Sequence, residues 1–450
     1  MFKALRDFFG KIQSYNLFIL AFQQTFKPTL MKNKLKLIVA FISTAILASC
    51  SSYNSGYSNT DKNYKGAIPT TKGQQIIDAN GQPMILKGTN LGNWLVPEGY
   101  MFKTEKVASP RQIDQLLNEM IGPDNTIAFW HKFLDNYITH DDIKYLKRTG
   151  SNHIRLPFHY KMFTNDLYMG KRNAGFEYFD RVIEWCRQEN IYVLLDMHCA
   201  PGGQTGDNID DSYGYPWLYY SVTSQDEMSA IWTSIAQRYK DDPIILGYDV
   251  FNEPFAHYFT KEIPDYNHRL FMIYERMVKD IRNVDKKHTI YLNGSVWAGD
   301  FGVFERILDD NIVYEFHKYW FDINQESVQK YVDFRDKHNV PIYIGETGEN
   351  TDEWVMEFRK LLDKNQINWA FWPYKKMDNT KGIINFKQPE DYPLITKYAE
   401  SDRSSFGKIR ENMPDRLKVQ KALDQFLENS LYKNNFQNKG YIEGLGFSVE

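Results

Sequence analysis

Between residues 72 and 400 the chain repeats one pattern eight times, a short apolar run followed by a longer amphipathic stretch. The apolar runs fall at Ile85–Leu91, His153–Leu156, Tyr192–Met197, Leu246–Phe251, Thr289–Leu292, Ile312–Phe316, Pro341–Gly345 and Trp369–Trp372. Between them, Ile127–Thr149, Phe176–Glu189, Gln225–Lys240, Tyr266–Asn283, Glu326–His338 and Asp352–Lys364 carry apolar residues at three- and four-residue spacing. That spacing is the period of a helix with one buried face. Strands alternating with helices of this length imply βα units and a parallel sheet. Eight units in about 330 residues match the size of a (β/α)8 TIM barrel, so the expected fold class is α/β, with one barrel domain over 72–400.

In such a barrel, chemistry collects at the C-terminal ends of the strands, so a polar residue that ends an apolar run is informative. Asn90 and Glu98 follow the first run, Arg155 lies in the second and His198 follows the third. Asn252 and Glu253 follow the fourth, His317 and Tyr319 the sixth, Glu346 closes the seventh and Trp372 the eighth. One such acid alone is most often a helix cap or an ion-pair partner. Seven of eight strands ending this way point to a site. Within it, GYDVFNEPF and VPIYIGETG each deliver one carboxylate, Glu253 and Glu346, from strands that face each other across the barrel mouth. Glycoside hydrolysis uses two acids on either side of one bond, and a retaining reaction needs them roughly 5–5.5 Å apart.

NLGNWLVPEGY, FLDNYITHDDIKYLKRTGSNHIRLPFHY and LLDMHCAPGGQTGDN, together with the two acid-bearing segments, resemble glycoside hydrolase family 5, and within it the exo-β-1,3-glucanase branch. The likeness runs in order over roughly residues 72–375. It implies that Glu253 is the acid/base and Glu346 the nucleophile of a retaining β-glycoside hydrolase. It also implies that Arg155, His198, Asn252, His317, Tyr319 and Trp372 surround the sugar at the cleavage site. Glu98 would hold hydroxyls of the terminal glucose, joined by Asp207 and Asn208. Arg155 and Tyr319 are expected to lower the pKa of Glu346, and the negative Glu346 to raise that of Glu253. The chain departs from the branch at two places. Thr347-Gly348-Glu349-Asn350 follows the nucleophile where an aromatic residue is usual, and Asn93 stands where glycine is common.

Other readings are narrowed by composition. A net charge of −3 with both signs interspersed gives no footprint for nucleic acid or an anionic membrane. Three cysteines, Cys50, Cys186 and Cys199, without CxxC spacing, do not make a disulfide framework or a zinc site. His198 and His317 belong to no tight ligand motif, so neither metal nor cofactor is expected, and Cys199 reads as a passive small residue. The aromatic fraction, 16%, is high; most of these residues fill the core, while Trp217, Trp297 and Trp320 follow strands and are candidates for further sugar subsites. Asp141-Asp142 reads as a solvated surface or helix cap.

At the front, Met31 opens MKNKLK, an apolar run Leu37–Ala48 follows, and Leu47-Ala48-Ser49-Cys50 resembles a bacterial lipobox. A run of about 12 residues is shorter than the roughly 20 a membrane span needs. Residues 31–49 are therefore expected to be a lipoprotein signal, with Cys50 lipidated and 50–71 a polar tether; residues 1–30 have no role in it if translation begins at Met31. Residues 401–450 form an extension with one expected helix, Arg416–Asn429, on the outside of the barrel. The whole reads as a monomer acting on a β-glucan or β-glucoside. A β-1,4-glucanase or β-glucosidase is the alternative within the class, and a non-catalytic glycan-binding lipoprotein the alternative outside it.

Overall fold

The computed structural model describes residues 67–449. Residues 1–30, the apolar segment 31–49, Cys50 and the tether up to residue 66 lie outside the described residues.

Eight parallel strands close into a barrel: β1 (Lys87–Asn90), β2 (His153–His159), β3 (Tyr192–Cys199), β4 (Ile245–Asp249), β5 (Thr289–Asn293), β6 (Ile312–His317), β7 (Ile342–Glu346) and β8 (Asn368–Phe371). Each strand pairs with its neighbours in sequence, and β8 returns to β1 with Trp369 opposite Lys87. The expected (β/α)8 barrel is the observed architecture.

Its boundaries differ from expectation where local chemistry overrides period. The stretch 127–149 is two helices, α2 (Pro123–Asn136) and α3 (His140–Thr149), preceded by α1 (Pro110–Ile121). Thr139 and Asp142 make a capping box, in which the Thr139 N–H and hydroxyl both donate to the Asp142 carboxylate, at 2.7 and 2.8 Å. Both helices bury residues at helical spacing, so periodicity ran straight across the break. Asp142 is thus a cap, as expected, but not a solvated one: it is fully buried and pairs with Lys375 at 2.8 Å.

The domain also begins before residue 72. Thr70–Lys72, Gln75–Ile77 and Pro83–Met84 form a small antiparallel sheet whose first strand bonds to Asn311 and Asp310. Its Ile76 enters a cluster with Leu86, Leu194, Leu246, Tyr291, Val313, Tyr343 and Ala370, the apolar floor of the barrel. At the other end, Arg416–Asn429 is helical as expected, and its Phe426 stacks on Phe102 with centroids 5.4 Å apart. The extension holds more than this helix. Phe406–Asn412 and Lys439–Gly444 are also helical, and Phe436–Gln437 joins a three-stranded sheet with Lys375–Met377 and Ile384–Phe386.

Candidate active site

Side chains two residues apart on a strand share a face. On β3 that places Leu194 in the floor, Asp196 above it and His198 at the mouth; on β6 it does the same for Val313, Glu315 and His317. Gly345 of β7 makes room for this stack, since a Cβ there would lie 1.6 Å from the Glu315 carboxylate. The strand register slips between Ile344 and Glu346, which leaves Glu346 at the mouth.

Arg155 occupies the middle of the interior and is fully buried. Its guanidinium lies 3.1 Å from Asp196, 2.7 Å from Asp249, 3.3 Å from Glu315 and 2.6 Å from Glu346, and it also donates to Asn90 (3.2 Å) and Asn252 (2.8 Å). Burial works against the arginine's charge, yet the four acids together hold its pKa up. One cation cannot neutralise four carboxylates, so protons make up the difference. Desolvation raises Asp196 to about 7 and also raises Asp249 and Glu315; the Asp249 charge pushes Glu315 up further, while a hydrogen bond from Glu315 favours the charged form of Asp249.

The two candidate catalytic acids meet at this cluster's upper edge. One oxygen of Glu253, one of Glu346 and a ring nitrogen of His317 all lie within 4.8 Å of one another. Glu346 is held by Arg155 and by the Tyr319 hydroxyl, which donates at 3.2 Å. Glu253 sits 2.9 Å from His317 Nδ1, at the positive φ of 40°, and its N–H donates to Asn293 Oδ1 at 3.4 Å. These groups, with Asp196–His198–Glu346, have the spacing to hold a cation; each already has a protein partner.

The pKa pattern corrects the expectation in two respects. Glu253 is raised to about 7, but by desolvation, with His198 and Arg155 pulling it down, rather than by the charge of Glu346. Glu346 is raised too, again by desolvation, despite His317 and Arg155. The expected pull of Arg155 is present, but burial outweighs it. His198 and His317 fall to about 4 and about 3 on burial and are neutral at pH 7. The Asp196 carboxylate orients His198 at 2.8 Å, and the His198 ring stacks on Trp372 at 5.5 Å. Trp372 in turn packs on Gly92, where a Cβ would lie 2.5 Å from the indole.

Glu98 is buried, and its carboxyl feels the charges of Glu346 and Glu253. Asp207 and Asn208 open a short helix in the loop after β3. The Asp207 carboxylate accepts from the Tyr258 hydroxyl and from the Asn208 N–H, both at 2.6 Å, and so caps its own short helix. The loop is turned that way by Asp211, buried at φ 57° and bonded to His159, Lys161 and the Arg111 N–H. Sequence reasoning missed Asp196, Asp249, Glu315 and Asn293. The signal was there: an acid inside an apolar barrel strand, two residues before a strand-end histidine (Asp196-Met197-His198 and Glu315-Phe316-His317), has no solvent to face. Cys199 is buried, with its thiol donating to the Ile209 carbonyl, in keeping with a passive role. Trp217 and Trp320 are exposed and Trp297 is half-buried, none of them core.

Comparison with known proteins agrees with this arrangement. The family model for Cellulase (glycosyl hydrolase family 5) matches residues 117–378, a span that contains both candidate acids. A β-xylosidase of Phanerodontia chrysosporium is 30% identical over 366 residues, covering 73% of this chain and 74% of that protein. A probable glucan 1,3-beta-glucosidase A of Aspergillus fumigatus is 27% identical over 298 residues, 61% of this chain and 67% of that protein. Among solved structures, the rutinosidase from Aspergillus niger shares the fold, with a TM-score of 0.54 at 17% identity over 66% of this chain and 92% of that one. A closed parallel barrel, paired carboxyls at its mouth and a family match over more than half the chain lead to one conclusion: the chain belongs to glycosyl hydrolase family 5 and is a β-glycoside hydrolase.

Proposed function

We propose that the enzyme cleaves β-glucosidic bonds of glucans, β-1,3-linked in the first place, by double displacement with retention. Glu346 attacks the anomeric carbon while Glu253 gives its proton to the departing oxygen, and a glycosyl-enzyme forms. Glu253, now a carboxylate, takes a proton from water; the water oxygen attacks the same carbon and releases Glu346. The single observation behind these roles is that one oxygen of Glu253 and one of Glu346 lie within 4.8 Å of each other, within reach of one scissile bond and in keeping with the short spacing of a retaining pair. Desolvation at Glu253 favours the protonated form that must begin the cycle, and Arg155 at 2.6 Å with the Tyr319 hydroxyl favours charge on Glu346. Asn252, turned by Arg155, and His198 are read as contacts to the sugar hydroxyls, and Trp372 as the floor beneath the ring.

The β-1,3 preference is supported by the branch-like motifs around Glu98 and by the glucan 1,3-beta-glucosidase relative. The second reading, a β-1,4-glucanase, is favoured by the cellulase family match. Product analysis on laminari- and cello-oligosaccharides separates them. Faster turnover of the laminari series, with the β-anomer released first, is expected; faster turnover of the cello series would replace the linkage assignment.

We also infer that Cys50 carries a lipid that holds the enzyme at the cell envelope, on the strength of the basic, apolar and Leu47-Ala48-Ser49-Cys50 segments in succession. Wild type should partition into a detergent phase and Cys50→Ser should not. Equal partitioning of both would remove the anchor.

A further inference from the structure

Glu98 belongs to a second charged group, assembled from the loops after β1, β7 and β8. It is 3% exposed, and its Oε1 has no protein partner. Its backbone is fixed by Asn93, whose Oδ1 accepts the Glu98 N–H at 3.0 Å from a left-handed φ of 60°. Two residues on, the Tyr100 ring lies under the Lys376 ammonium, 4.9 Å from its centroid, and the Tyr100 hydroxyl accepts from Trp372 Nε1 at 2.6 Å. Lys376 is in turn bonded to Glu349, itself at φ 50°. The charges felt by the Glu98 carboxyl are those of Glu346, Glu349, Glu253 and Lys376. Asn93 and the stretch Thr347-Gly348-Glu349-Asn350 are the two places at which the sequence leaves the exo-β-1,3-glucanase pattern, and Asn93 and Glu349 both contribute to this one wall.

A buried carboxyl oxygen without a partner is costly unless a ligand supplies the missing hydrogen bond. A lysine has three donors, and Glu349 uses one of them. An acceptor at Glu98 and a donor at Lys376, whose charge Glu98 feels and which packs on Tyr100 two residues away, match a vicinal diol, in which one hydroxyl gives a proton and its neighbour's oxygen receives one. We propose that Lys376, held by Glu349 and by the Tyr100 ring, reads the glycone together with Glu98: Glu98 accepts from one hydroxyl of the non-reducing sugar, and Lys376 donates to the adjacent oxygen. Glu349 offsets the lysine charge, so the wall selects a neutral sugar rather than an acidic one. Where an aromatic would have stacked on the ring, this chain uses hydrogen bonds, and a site built to bond a hydroxyl discriminates sharply against its absence. The inference rests on the catalytic reading of Glu253 and Glu346, which fixes the sugar beside Glu98.

The test is steady-state hydrolysis of p-nitrophenyl β-D-glucopyranoside and its 3-deoxy and 4-deoxy analogues by wild type, Lys376→Met, Lys376→Arg, Glu349→Gln and Glu346→Ala. Lys376→Met should raise KM on the parent glucoside at least about tenfold, the order of one lost charge-assisted hydrogen bond, with a smaller change in kcat. Lys376→Arg should recover part of that loss, and Glu349→Gln, which retains the lysine, should show a smaller change in the same direction. On one deoxy analogue the wild type should already be as weak as Lys376→Met, and the substitution should cost little more. A Lys376→Met enzyme with unchanged KM, or one losing the same factor on every analogue, would overturn the proposal. Near-normal turnover by Glu346→Ala would instead overturn the catalytic reading and the inference with it.

Discussion

Two layers fill the inside of this barrel, and one step of the strand pleat separates them. Below, Leu194, Leu246, Val313, Tyr343 and Ala370 meet as an apolar floor sealed by Ile76. Above, on the same strands, Asp196, Asp249, Glu315 and Glu346 converge on Arg155. Even the titratable group at the lower level stays neutral: His153, bonded to Tyr343 at 3.0 Å, has its pKa pushed down to about 3 by burial. The floor is held by contacts that have no direction and tolerate exchange of one apolar side chain for another. The upper layer is held by a single cation whose loss strands several acids. The lower layer contributes stability alone, whereas the upper layer carries the chemistry and depends for its own stability on one cation.

Arg155→Met attacks the upper layer at its centre and should have the largest effect. Removing one partner from a buried ion cluster costs about 3–5 kcal/mol, and here four acids lose their cation at once. Chemical denaturation should show that loss growing as pH rises, because the stranded acids survive best protonated; a variant as stable as wild type at pH 8 would dissolve the distinction between the layers. Glu346→Ala should lower kcat by about 10³-fold or more while leaving the melting temperature close to wild type. Leu194→Ala should do the reverse, costing about 2–5 kcal/mol of stability through a cavity in the floor, with kcat changed by about twofold at most, as measured below the unfolding transition.

Glu253 sharpens the comparison through pH. Its folded pKa, about 7, lies above the unfolded value, so the folded state favours its protonated form. The resulting penalty is absent below the unfolded pKa, develops as pH rises towards 7 and stays in full above it. Glu253→Gln should therefore gain about 1–3 kcal/mol of stability at pH 8 and nothing at pH 4. In the wild type, kcat/KM should fall as pH rises through about 7, when the acid loses its proton. A rate that instead rose between pH 7 and 8 would argue against Glu253 as the acid. Smallest of all, Tyr319→Phe removes one hydroxyl from Glu346 and should slow turnover by about tenfold with no measurable change in stability.

Much of this was legible in order along the chain. The βα period set the barrel, and residues ending apolar runs named Glu253, Glu346, Arg155, His198 and His317, because strand end and barrel mouth are the same place. The loop that carries Asp207 and Asn208 could not be placed from spacing, because its path depends on distant tethers, here Asp211 on His159 and Lys161. Lys376 drew no notice in the sequence because it lies beyond the last strand end, and only packing on Tyr100 sets it beside the turn that carries Glu98.

Taken alone, the sequence determined what is periodic and local: eight strands, and the two acids that follow β4 and end β7. Tertiary structure alone decided which charges share a space. Arg155 could be named from its strand, but not that it would be divided among four acids, nor that burial rather than mutual repulsion would set the pKa of Glu253. Periodicity is written in spacing along the chain, whereas desolvation and Coulomb energy depend on distances that exist only after the barrel has closed.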